Sequence, residues 1–332
     1  MSASILITGG TAGIGLQCAA VLARQYPNHR IAVASRSDAD DAAGTINSLT
    51  GQSNVEYMRL DLASLSQVRS FVKTWTEGNN PPITHLLLNA GLQFAREAVF
   101  TEDGYEKTFA VNHLGHALLF YLLTPHLAQT ARIVVTASGT HDPAQKTGMP
   151  DAKYTSAEDL AHPSGEALNS SGRQRYTTSK LLNILWTYAL ERRLADLRAP
   201  HESDQGAKRN WTIAAFDPGL VPGTSLVRDA GGVMKFFWLR VLPKILPLLR
   251  AAVSPNIHTA EESGGNLAWV AGDDGAVAAG SGLYYEGRKV IRSSKDSYER
   301  EKQEDLWDWT VKHLARDPEE AALFSLEKAT VG

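Results

Sequence analysis

The chain is predicted to fold as a single α/β domain: a doubly wound parallel sheet with helices on both faces. Three observations predict it. Short β-type runs alternate with longer windows of helical periodicity. The first run opens directly into a glycine-rich turn. The 332 residues, 43% of them hydrophobic, are enough to bury one full core.

Ser4–Thr8, Arg30–Ala34, Val55–Leu60, His85–Asn89, Arg132–Thr136 and Trp211–Phe216 read as strands, and the windows between them are long enough for crossover helices. Two polar stretches stand out, Asp142–Gly172 and His201–Asn210. The first, taken as an extended loop over 142–175, separates a strand from a helix. Val233–Ala252 is rich in Phe, Trp, Leu and Ile, yet Pro243, Pro247 and scattered Lys and Arg exclude an unbroken membrane-spanning helix. Tyr298–Leu314 reads as a C-terminal amphipathic helix, packed by Trp307 and Trp309 with its charges solvated.

A net charge of −3 gives no basic face for nucleic-acid phosphates, so small-molecule chemistry is the better expectation. The lone Cys18 excludes an internal disulfide or a multi-cysteine metal site. The first strand begins too close to Met1 for a signal peptide, and a cytoplasmic location is expected.

After the first strand comes Thr8-Gly9-Gly10-Thr11-Ala12-Gly13-Ile14-Gly15, leading into a helical pattern. Glycines here let backbone N–H groups and a helix N-terminus approach a diphosphate. Such a turn alone is weak, since many merely join elements tightly. At the end of the second strand, Ser35-Arg36 stands where an NAD site would offer a carboxylate to the ribose hydroxyls. Arg36 suits the 2′-phosphate of NADP, although a solvated surface arginine is the bland alternative.

Tyr176 and Lys180 lie at i and i+4 on one helix face, where the ammonium, together with a positively charged nicotinamide, would favour a tyrosinate. Free tyrosine, with a pKa of about 10, is too weak a base near neutrality. By itself Tyr-x-x-x-Lys is more often a packing pattern; the glycine turn changes that judgement.

In order along the chain, Thr8-Gly9-x-x-x-Gly13-Ile14-Gly15, Asp61-Leu62, Asn89-Ala90-Gly91, Asn112, Ser138, Tyr176 and Lys180 together resemble the short-chain dehydrogenase/reductase family. The resemblance runs from Ser4 to about Gly219, and it implies a Rossmann-type fold binding NADP(H). It also implies a catalytic tetrad of Asn112, Ser138, Tyr176 and Lys180, with Thr136 or Thr140 as the fallback hydroxyl. Cofactor contacts would come from Gly9, Thr11, Gly13, Ile14, Gly15, Arg36, Asp61, Leu62, Asn89, Ala90 and Gly91. Tyr176, Lys180, Pro218, Gly219, Val221 and Thr224 would complete them. Asn112 would order water linking Lys180 to solvent. Asn112-His113-Leu114-Gly115-His116 is most similar to the retinol dehydrogenase and protochlorophyllide reductase branch, which implies a bulky, apolar substrate.

The implied chemistry is hydride transfer, with Tyr176 exchanging the proton on oxygen and Ser138 holding that oxygen. Reduction of a C=C or C=N bond and a non-catalytic NADP(H)-binding scaffold remain open as alternatives. Residues 225–260 are expected to cover the substrate, with the aromatics of 233–252 lining its pocket, while a peripheral membrane contact through 233–252 is the rival reading. His113, His116 and His141 lack metal-ligand spacing, and no metal is assigned. Oligomeric state is not legible.

Overall fold

The computed structural model describes residues 1–94, 97–199, 209–224, 236–272 and 280–326. Its strands are β1 (Ala3–Thr8), β2 (His29–Ser35), β3 (Val55–Arg59), β4 (Ile83–Leu88), β5 (Leu127–Thr136), β6 (Asn210–Asp217), β7 (Leu283–Glu286) and β8 (Lys289–Ile291). They form one sheet in the order β3-β2-β1-β4-β5-β6-β7-β8. Every pair is parallel except β7 with β8. The six strands expected from the sequence are all present, with β5 beginning earlier, at Leu127. β7 and β8 were not anticipated: four and three residues are too short for a periodicity to register.

The helices are α1 (Gly13–Gln25), α2 (Ala42–Thr50), α3 (Leu65–Glu77), α4 (Lys107–Phe109), α5 (Gly115–Leu123), α6 (Ala157–Ala161), α7 (Gly165–Leu168), α8 (Gly172–Arg198), α9 (Leu246–Ala252), α10 (Ala260–Ala271), α11 (Arg300–Leu314) and α12 (Pro318–Ser325). Neighbouring residues of one strand go to opposite faces. Ile5, Ile7, Ile31 and Val33 pack with Cys18 and Leu22 of α1, Ile46 of α2 and Leu267 of α10. Leu6, Ala32 and Leu86 face the other way, toward Phe71 of α3, Leu118 of α5, Leu185 and Trp186 of α8, and Trp307 of α11. A sheet covered on both faces needs unbroken apolar strands, which is why these read as runs rather than alternations. Cys18 is fully buried, and burial pushes its thiol well above the ordinary range.

Two expectations about segments need correction. The stretch 142–175 is not one extended loop: it contains α6, α7, the first turn of α8 and a 3₁₀ turn at Pro143–Gln145. Its anchor is α11, where Asp305 Oδ2 accepts from Tyr154 Oη (2.6 Å) and from the Ala157 amide (2.9 Å). Trp309 Nε1 donates to Glu158 (2.7 Å). The charges of α11 are therefore not simply solvated, since Glu304 also pairs with Arg192 and Arg193 of α8. Trp307 and Trp309 are buried as expected.

The substrate-covering segment falls partly on residues 225–235, outside the described residues. From Phe237 it is a π turn to Val241, a 3₁₀ turn at Leu242–Ile245, and α9. The breaks fall where Pro243 and Pro247 remove backbone donors. Among the described residues, no helix is long and apolar enough to cross a membrane.

Candidate active site

Strand order reverses between β1 and β4, and a cleft of about 960 Å³ opens there along the C-terminal ends of the strands. The glycine turn forms its floor. Gly9 and Gly13 have φ of +68° and +54°, and a Cβ on Gly15 would lie 2.3 Å from the Gly9 carbonyl oxygen. Only glycine permits that closure. Ala12, at the N-cap of α1, has no side-chain acceptor for the first-turn N–H groups, which stay available to an anion.

Thr8 fastens the next strand end to this turn. Its Oγ1 accepts from the Asn89 amide (2.9 Å) and the Ala90 amide (3.0 Å), while Asn89 Nδ2 donates to the Thr8 carbonyl (3.0 Å). His116 Nε2 lies 2.9 Å from the same Thr8 hydroxyl. At the far end Arg36 is exposed on the cleft wall. Asp38 also lines the cleft, with its Oδ1 accepting from the first amide of α2, Ala42 N, at 2.7 Å. Every residue expected to hold the cofactor, Gly9 through Thr224, lines this cleft. The uncapped helix, the tight glycine turn and a cleft volume of about 960 Å³ fit a dinucleotide.

The opposite end gathers Ser138, Tyr176 and Lys180. Ser138 follows β5 and accepts from Thr140 Oγ1 (3.1 Å), the neighbouring hydroxyl. Tyr176 and Lys180 occupy the buried face of α8, and the ammonium stands 5.6 Å from the phenol ring centre. Lys180 Nζ donates to the Thr136 carbonyl (2.9 Å), which also accepts from Asn183 Nδ2 (3.0 Å). Burial, and after it the Asp217 carboxylate, push Tyr176 well above the usual phenol range, with Ser138 pulling the other way. Burial lowers Lys180 to about 8, against which Asp217 works. Within the chain itself, without the nicotinamide whose positive charge the tyrosinate expectation also invoked, the phenol is the favoured form.

Asn112 does not line the cleft. It sits in a π turn, Ala110–Leu114, between α4 and α5, a local unwinding often found at functional sites. Its side chain clamps the Leu92 backbone, accepting from the amide (2.8 Å) and donating to the carbonyl (3.0 Å). It also donates to Ser179 Oγ (2.9 Å), so it ties the Gly91–Leu92 wall to α8. His113 bonds Thr310 of α11 (2.9 Å), and His141 bonds the Ser138 carbonyl (2.7 Å) and the Ser294 amide (3.0 Å).

Of the aromatics expected to line the substrate pocket, Trp238 does so, and its Nε1 donates to the Thr224 carbonyl (3.0 Å). Phe236 and Phe237 instead stand 59% and 49% exposed and away from the cleft. Neither Asp217, which ends β6, nor Asn256 was among the residues expected from the sequence to act in the site, although both line the cleft. Their signal, a carboxylate ending a buried strand, is faint without the fold.

Fold and cleft together define a doubly wound, dinucleotide-binding α/β protein. The comparisons agree: the sequence profile described as short chain dehydrogenase matches residues 3–156. Protochlorophyllide reductase A, chloroplastic, of Oryza sativa subsp. japonica is 30% identical over 333 residues, covering 93% of this chain and 79% of that protein. Retinol dehydrogenase 13 of Homo sapiens is 30% identical over 315 residues, 92% and 82% of the two chains. A short chain dehydrogenase from Burkholderia cenocepacia J2315, solved in complex with NADP, shares the fold with a TM-score of 0.57 at 22% identity, over 86% of this chain and 95% of that one. The chain belongs to the short-chain dehydrogenase/reductase family, oxidoreductases that bind nicotinamide cofactors and act on small molecules.

Proposed function

We propose that this protein is an NADP(H)-dependent oxidoreductase that interconverts a carbonyl and an alcohol on a bulky, apolar small molecule. The observation that carries the reading is the convergence of Ser138, Tyr176 and Lys180 at one end of a cleft whose other end bears Arg36. The nicotinamide, when bound, supplies or accepts the hydride. Tyr176 donates its proton to the carbonyl oxygen, which the Ser138 hydroxyl holds by a hydrogen bond. Lys180 stabilises the phenolate that remains, from a position fixed by the Thr136 carbonyl. Asn112 keeps the Leu92 wall and α8 in register. Arg36 would pair with the 2′-phosphate, since β2 ends in Ser35 rather than a carboxylate at this end of the cleft. Leu92, Val111, Leu220, Trp238, Val253 and Ile257 give the cleft its apolar wall.

The test is NADPH against NADH consumption over a panel of apolar ketones and aldehydes. Turnover with NADPH that disappears in Tyr176→Phe supports the reading. Tight NADPH binding without turnover on any carbonyl would instead favour C=C or C=N chemistry or a scaffold.

A second reading concerns the surface beside the cleft mouth. Phe236, Phe237, Leu248 and Val253 are exposed next to Arg240 and Lys244, and Val253 also lines the cleft. Exposed aromatics with interspersed cations suit shallow contact with a lipid surface.

A further inference from the structure

Asp217 ends β6 and is 1% exposed, yet it lines the cleft. Register places it beside the acid–base site: Phe216 pairs with Thr136, and the Ala137 amide donates to the Phe216 carbonyl (2.7 Å). Asp217 and Ser138 therefore leave neighbouring strands side by side. A Cβ on Gly139 would lie 3.0 Å from Asp217 Oδ2.

The carboxylate is held by neutral donors. Oδ1 accepts from the Gly219 amide (3.0 Å) and Oδ2 from Asn256 Nδ2 (2.9 Å). Asn256 Oδ1 in turn pairs with His258 Nε2 (3.0 Å). The close fit is enforced at Gly219, whose φ is +74° and where a Cβ would fall 2.5 Å from Asn256 Oδ1. Among the described residues, Asp217 has no ion-pair partner. A buried carboxylate that is fixed but not paired is costly to keep, and its field reaches whatever polar groups stand nearest. Tyr176 and Lys180 line the same cleft, and both feel that charge.

We propose that Asp217 is a positioning residue of the acid–base site: a fixed carboxylate beside Ser138, in the cleft that Tyr176 and Lys180 share, that sets the electrostatic field in which a proton is delivered to a carbonyl oxygen. This rests on the reading of Tyr176 as proton donor. Asn256 and His258 hold the carboxylate in place.

After burial, Asp217 is the charge that acts on both Tyr176 and Lys180. His116 of α5 is held at about 3 by burial, and burial likewise lowers His141 from the turn after β5 and His258 beyond α9. Tyr284 of β7 is kept as a phenol, chiefly by burial. Glu286, also on β7, feels Asp217 and stands toward the surface. On α8 itself, Arg175 pairs with Glu106 (3.3 Å) and Arg173 donates to the Gly148 carbonyl (2.9 Å).

The experiment follows Lys180 directly, without turnover. Carbon-labelled lysine is titrated by NMR in the full chain without cofactor, with the Lys180 signal assigned by its loss in Lys180→Met. The expected midpoint is about 8 in the unaltered protein. In Asp217→Asn it falls by about one unit, the size typical of losing an opposite charge nearby. Asn256→Ala, which removes the brace but leaves the charge, keeps the midpoint near that of the parent. With NADPH and any carbonyl the protein turns over, the alkaline limb of reduction moves to lower pH in Asp217→Asn, because Tyr176 loses its proton more readily. An unmoved Lys180 midpoint in Asp217→Asn, or an equal shift in Asn256→Ala, overturns the proposal. So does a midpoint well below neutrality in the unaltered protein, which needs no variant to fold. Loss of turnover in Tyr176→Phe leaves these titrations untouched, so the two readings fail separately.

Discussion

Lys180 shows how a single buried residue trades stability for chemistry. Burial brings it from an ordinary 10.5 to about 8. The unfolded lysine keeps its proton up to its ordinary value, while the folded one releases it from about 8. The unfolded state thus binds more protons between these values, and this group's contribution to stability rises with pH across that window. Below it both states are charged, and the folded state carries the full cost, about 3 kcal/mol on the difference between the two values. Lys180→Met is expected to be inactive yet more stable than the parent at neutral pH, by up to that amount, since Asn183 still satisfies the Thr136 carbonyl. The gain should shrink as pH rises toward 10.5, as read from urea midpoints at a series of pH values. Tyr176→Phe should lower turnover by about 10²–10⁴-fold, the usual worth of a positioned acid. NADPH binding, followed by fluorescence titration, should weaken far less than turnover falls.

Among the elements, α11 is the latch for the segment before the catalytic helix. Asp305 accepts from Tyr154 and Ala157 at once, so Asp305→Ala leaves a hydroxyl and an amide to find new acceptors. A loss of about 1–3 kcal/mol is expected. Hydrogen exchange should speed up first in residues 150–162, while β1 and β4 keep their protection. Uniform acceleration across the sheet would contradict a local latch. The segment from Phe236 to Val253 carries the prediction for a lipid surface. Vesicles containing anionic lipid should co-sediment the protein, and Phe236→Ser with Phe237→Ser should abolish this while leaving thermal stability within about 0.5 kcal/mol, as for exposed positions generally.

For the whole molecule, the cleft spans both halves of the doubly wound sheet, so a ligand filling it should stabilise the fold by mass action. NADPH at one hundred times its dissociation constant is expected to add about 2.7 kcal/mol. Arg36→Ser should reduce the thermal shift produced by NADPH and spare the one produced by NADH. Equal losses for both would remove the 2′-phosphate assignment. No fold change is expected in this variant, because Arg36 is exposed.

The sequence by itself determined the doubly wound α/β class, the first six strands and the order of Gly9, Gly13, Gly15, Asn89, Asn112, Ser138, Tyr176 and Lys180. These are local or periodic signals: a strand buried on both faces must be apolar, and a tight turn must use glycine. Only the tertiary structure decided that Asn112 braces Leu92 and α8 from behind the cleft wall, and that Asp305 fastens the segment before α8. It also decided that Phe236 and Phe237 turn outward while Trp238 turns in. The Tyr176 and Lys180 pair marks the difference most clearly. Their spacing is written in the chain, but burial and Asp217, contributed from 37 residues beyond Lys180, set their protonation. Desolvation and the approach of a distant carboxylate arise only when strands β5 and β6 lie side by side, and no one-dimensional pattern encodes that adjacency.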